Sequence, residues 1–116
     1  MQAVRYHDHG GPEQLRIEEI ERPTPDDDEV LVEVDVAAVN PVDTKLREGG
    51  TFEPASLPWT PGSDVAGTVV ETGGDVAALS VGDRVFATGL GLDRQGTCAE
   101  YVTVPTDLLA ALPETV

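Results

Sequence analysis

Apolar and polar residues alternate with a period of two through most of this chain. In Glu29–Ala37 the residues Val30, Val32, Val34 and Val36 fall on one face and Glu29, Glu33 and Asp35 on the other. That pattern predicts an antiparallel strand with one buried and one wet side. Further strands are predicted over Gln2–His7, Leu15–Glu21, Asp64–Thr72, Arg84–Ala87, Ala99–Val104 and Leu108–Leu112. The alternation slips at Glu18-Glu19, which predicts a bulge or a strand end. Turn chemistry separates the runs at Gly10-Gly11-Pro12, Pro23-Thr24-Pro25-Asp26, Gly49-Gly50, Gly73-Gly74-Asp75 and Gly82-Asp83. Many short strands so punctuated predict a mainly β sandwich or small barrel.

One segment departs from the period of two. Asn40-Pro41-Val42-Asp43 reads as a helix start, with Asn40 at the N-cap, Pro41 at the first helical position and Asp43 in the first turn. Lys45 and Arg47 then fall near the negative end of the helix dipole, and Gly49 ends it. The stretch from 50 to 61 carries Pro54, Pro58 and Pro61 and reads as a loop.

Length and charge narrow the function. A chain of 116 residues suffices for one core and one domain. Seven basic residues against 22 acidic ones, a formal charge of −15, argue against nucleic acid and against anionic membrane surfaces. No apolar run approaches the roughly 20 residues that span a bilayer, and the start has no signal-peptide stretch. A cytoplasmic domain is expected. So strong an acid excess, with Lys45 the sole lysine, also fits a high-salt cytoplasm, where screening relieves self-repulsion; an ordinary acidic domain with a basic partner is the alternative. The single cysteine, Cys98, excludes an internal disulfide and a thiolate zinc cluster.

The ordered segments AVRYHDHGGPEQL, EVLVEVDVAAVNPVDTKLREG, PGSDVAGTVVETG, VGDRV and AEYVTVP resemble the medium-chain dehydrogenases/reductases, and within them the zinc-independent quinone oxidoreductases. The resemblance runs over nearly the whole chain. It implies a GroES-like, partly open β-barrel with one or two short helices, serving as the substrate-side catalytic domain beside a separate Rossmann domain. That second domain is not in residues 1–116. The only Gly-x-Gly, Gly89-Leu90-Gly91, has Arg94 at the next glycine position and no helical pattern after it.

The resemblance implies hydride transfer from NADPH to a quinone or another conjugated carbonyl, with the cofactor held mainly by the other domain. Zinc-dependent relatives carry a cysteine after the long strand and a histidine in Gly-His-Glu. Here those positions hold Asn40 and, in Gly62-Ser63-Asp64, Ser63, and an amide and a hydroxyl are poor zinc donors. No zinc is therefore expected. Asn40 and Asp43 match cleft positions of the family, and Asn40 offers a donor and an acceptor for a nicotinamide amide or a substrate oxygen. The N-cap role is compatible with that contact.

Lys45 stands where many relatives carry tyrosine; it either steers an anionic group or complements the helix dipole, and Arg47 reads the same way. Phe52 and Trp59 form an apolar wall against a flat ring or anchor the loop. Ser63 and Asp64 line the cleft without a base nearby to make the serine a nucleophile. His7 and His9, two apart, are weighed as ligands, with solvated residues before a turn the plainer reading. Cys98 reads as a small core hydrophobe. Two other functions stay open: a zinc-type alcohol dehydrogenase domain, and a stand-alone barrel acting as a binding or scaffold module. An apolar face near Leu108, Leu109 and Leu112 makes a homodimer an expectation.

Overall fold

The computed structural model describes residues 1–50 and 56–113. Strands β1 (Gln2–Arg5) and β2 (Arg16–Glu19) pair as an antiparallel hairpin. The other five are β3 (Glu29–Ala38), β4 (Asp64–Thr72), β5 (Arg84–Ala87), β6 (Tyr101–Pro105) and β7 (Leu109–Ala111), in the spatial order β6-β3-β4-β5-β7. Every pairing is antiparallel. Single bridges, Ala3 to Ala99 and Tyr6 to Trp59, fasten the hairpin to the larger sheet and its loops. This is the mainly β, partly open barrel that the alternation and the resemblance predicted. Each of the seven predicted strands is present, and the slip at Glu18-Glu19 marks the end of β2.

The only α-helix among the described residues, α1 (Pro41–Glu48), lies between β3 and β4. It starts at Asn40 with Pro41 in the first turn, and Gly49 caps it at φ 83°. Two 3-10 turns, Pro12–Gln14 and Thr106–Leu108, complete the described structure.

The core is a valine cluster. Val30 and Val32 of β3, Val65 and Val69 of β4, Val85 of β5 and Val102 and Val104 of β6 are buried together with Leu90. Burying each such side chain removes apolar area from water worth about 1.5–3 kcal/mol.

Strand β3 departs from its predicted single wet face. Its first half is buried on both faces: Glu29 and Leu31 are sealed as well as Val30 and Val32. Its second half turns over, and Val36, expected inside, is 64% exposed. The register against β4 shifts between Leu31 and Val32 and again between Val34 and Val36, where Asp35 is skipped. An extra residue reverses the alternation beyond it. Burial pushes the Glu29 carboxyl up, but the Asp26 backbone N–H and the Arg94 guanidinium outweigh it and hold the acid below its ordinary range.

Candidate functional site

Antiparallel pairing brings the end of β3 beside the start of β4, with Ala38 opposite Asp64. The residues just outside that register, Asn40 and Ser63, therefore meet. The Asn40 side-chain Nδ2 donates to Ser63 Oγ at 2.5 Å and to Asp64 Oδ2 at 2.9 Å. Thr88, one residue past β5, donates its hydroxyl to Asp64 Oδ1. The Thr88 and Asn40 hydrogen bonds hold the Asp64 carboxyl below the usual aspartate range despite some burial.

Behind this row lies a second carboxylate. Asp43 is 3% exposed. Its Oδ2 accepts the Asn40 backbone N–H at 2.8 Å, and its Oδ1 accepts the Gly62 N–H at 3.0 Å. Asn40 and Asp43 form a capping box at the start of α1. Gly62 sits at φ 107°, and a side chain there would strike Thr97 and Cys98. The turn is thus held against the helix by backbone, and Asp43 closes the helix end that would otherwise attract an anion. Burial raises the Cys98 thiol pKa, with the Asp43 charge adding to it. Burial likewise raises Tyr6, helped by Asp43 and opposed by Arg47.

The other predicted residues separate from this cluster. Lys45 is exposed on α1 and forms no ion pair among the described residues. Arg47 donates from Nε to the Gly10 carbonyl at 3.1 Å, tying the helix end to the hairpin. Trp59 is 2% exposed and its ring N–H donates to the Gly91 carbonyl, so it anchors its loop. Phe52 lies outside the described residues. The two histidines serve different partners: His7 pairs with Glu18 at 2.7 Å, and His9 Nδ1 lies 3.1 Å from the Leu46 carbonyl.

Sequence reasoning missed two contributors. Thr88 joins the site only because β5 pairs with β4, with Ala87 opposite Val65. Beside it, Val36, Ala66 and Phe86 form an open apolar shelf of about 320 Å³ rimmed by Asp64 and Thr88. The bulge at Asp35 produces this shelf by turning Val36 outward, and no single-strand pattern reveals it. A second hollow of about 370 Å³, between Met1, Arg5, Arg94 and Tyr101, touches none of the network residues. Among the described residues no three His, Cys, Asp or Glu side chains converge as a metal site. Among the described residues no helix is long and apolar enough to cross a membrane.

Residues 26–114 match the alcohol dehydrogenase GroES-like domain. The chain is 40% identical to quinone oxidoreductase of Mus musculus over 116 residues, covering 99% of this chain and 34% of that protein. It is 42% identical over 125 residues to an NADPH-dependent alkenal/one oxidoreductase of Arabidopsis thaliana, covering 100% of this chain and 32% of that protein. The Escherichia coli quinone oxidoreductase structure, complexed with NADPH, superposes with a TM-score of 0.88 at 30% identity, over 100% of this chain and 34% of the other. This chain thus spans about a third of the length of these relatives. Its architecture, its ordered motifs and these likenesses agree: the chain belongs to the GroES-like domain family of the alcohol dehydrogenases, and is of the quinone oxidoreductase type among medium-chain dehydrogenases/reductases.

Proposed function

We propose that this chain is the substrate-side half of a reductase that passes hydride from NADPH to a quinone or another conjugated carbonyl without zinc. The observation that carries this reading is the direct contact between Asn40 and Ser63. Those residues occupy the positions at which zinc-dependent relatives place two metal ligands. Here they bond to one another, and Asp64, whose carboxylate meets the same Asn40 amide, has both oxygens engaged. A donor set of amide, hydroxyl and occupied carboxylate suits hydrogen bonding and not zinc.

The shelf beside this row fits one face of a flat ring, with Val36 and Phe86 as apolar floor and Asp64 and Thr88 at its polar edge. The start of α1 suits a phosphate poorly, because Pro41 has no N–H and the Asp43 carboxylate lies in the first turn, bonded to the Asn40 N–H. The fit is therefore to the nicotinamide end, held against the shelf beside the Asn40 row, with the phosphates bound elsewhere in a longer protein. Bound NADPH would supply the hydride. The chain's residues would exclude water from one side, orient the carbonyl, and hydrogen-bond its oxygen as charge develops.

The test is turnover by the full-length protein. NADPH oxidation is expected with a quinone and with an alkenal, in preparations free of stoichiometric zinc by elemental analysis. Zinc at one equivalent, lost together with activity on chelation, overturns the reading. The same reading places the protein in the cytoplasm, without nucleic-acid or membrane partners, and pairs copies through the face bearing Leu108, which is 38% exposed. Light scattering that shows only monomer counts against the pairing. The acid excess fits a high-salt cytoplasm, so melting temperature should rise with KCl; a flat response rejects that.

A further inference from the structure

We infer that Ser63 is the hydrogen-bond donor of this site, and that Asn40 and Asp64 set the direction of the hydrogen bonds that leave its proton free. This rests on the reductase reading above and deepens it. The argument is one of donor and acceptor capacity. An ionised carboxylate only accepts, so Asp64 requires the NH₂ end of the Asn40 amide to face it. That demand sets the orientation of the amide.

With its NH₂ group so fixed, Asn40 spends its second N–H on Ser63 Oγ at 2.5 Å. The serine oxygen is thereby an acceptor from Asn40, and its own proton must go elsewhere. No acceptor for that proton exists among the described residues, although Ser63 is only 7% exposed. A buried donor left unmade costs about 1–3 kcal/mol, a cost that a ligand oxygen at this position would remove. A hydroxyl whose oxygen already accepts a bond is a stronger donor in turn.

A quinone, an enone and an alkenal share one feature, a carbonyl oxygen that gains negative charge when hydride arrives at the conjugated system. Thr88 is not available for that oxygen, because its hydroxyl is committed to Asp64. The Asn40 N–H groups are both used. Ser63 is the one hydroxyl of the row with a proton to give. The sequence reading placed this serine in the cleft without a neighbouring base, but gave no sign that it donates. Its chemistry is donation and not nucleophilic attack.

Steady-state kinetics of the full-length protein test the inference. Ser63→Ala should lower kcat for conjugated carbonyls about tenfold or more, with KM for NADPH within about twofold of wild type. Ser63→Thr, which keeps the hydroxyl, should recover most of the loss. Asn40→Asp cannot donate to Ser63 and should draw its proton inward. It should therefore reproduce the Ser63→Ala loss, and the double variant should be no slower than either single one. A Ser63→Ala enzyme within about twofold of wild type, or losses that multiply, overturns the inference while the reductase reading stands. A wild-type protein inert towards every carbonyl tried overturns the reductase reading and the inference with it. The hydrogen-bond direction has its own readout in ¹⁵N spectra of the 116-residue chain. The Asn40 side-chain NH₂ protons should exchange with solvent at least tenfold more slowly than exposed side-chain amides. Equal exchange rejects the arrangement.

Discussion

Asp43 and Asp64 flank the same turn, and each accepts two hydrogen bonds, yet they serve different ends. Asp43 takes two backbone amides, Asn40 and Gly62, and is sealed from water. Asp64 takes two side chains, Asn40 and Thr88, and stays partly exposed beside the apolar shelf. A carboxylate bound by backbone fixes where two segments lie. One bound by side chains fixes which way those side chains point. The first holds the fold at the site, and the second sets the site's polarity.

The largest effect expected is at Asp43. Asp43→Ala leaves one buried and one partly buried amide without partners and should lower stability by about 3 kcal/mol in urea unfolding. Asp64→Ala should cost less than about 1 kcal/mol, because water reaches the freed groups. Similar losses at both positions would erase the contrast. The apolar side offers a parallel comparison across adjacent residues of β5. Val85 is fully buried and Phe86 is 46% exposed. Val85→Ala should therefore cost about 2 kcal/mol and Phe86→Ala less than about 1, although phenylalanine loses more atoms. The reverse order would mean that the shelf is part of the core.

Acid gives a further handle on Asp64. The folded-state pKa of Asp64 is lowered, first by the Thr88 hydrogen bond and then by Asn40. Its stabilisation is therefore complete above the ordinary aspartate value of about 3.9 and is lost as pH falls through the lower folded-state value. Glu29 is lowered too and adds to the same acid window. Stability of the wild type should thus decline below about pH 4, and Asp64→Ala should decline less steeply over that range. Unchanged steepness would show that Asp64 carries none of it. The smallest expected effect lies beneath the helix. The Tyr6 hydroxyl is fully buried with no partner among the described residues. Tyr6→Phe removes an unpaired polar atom and should raise stability by up to about 1 kcal/mol. A loss of that size would reveal a buried water bonded there.

Much of this was legible in the chain. Period-two alternation located all seven strands, because a sheet with one buried face imposes that pattern on sequence. Asn40, Pro41 and Gly49 marked both ends of α1, since capping is a local matter of backbone donors and allowed φ. The family resemblance singled out Asn40, Asp43, Ser63 and Asp64 as residues of interest. Their division of labour was not legible. Asn40 and Ser63 are 23 residues apart, and Asp64 and Thr88 are 24 apart; only strand pairing brings them into contact. The pattern also misread β3, where one skipped residue turned Val36 out and made the shelf. Local chemistry, then, determined the elements and their ends. Register, bulges and the donor–acceptor balance around one amide were decided by tertiary structure, because each depends on which strands lie side by side.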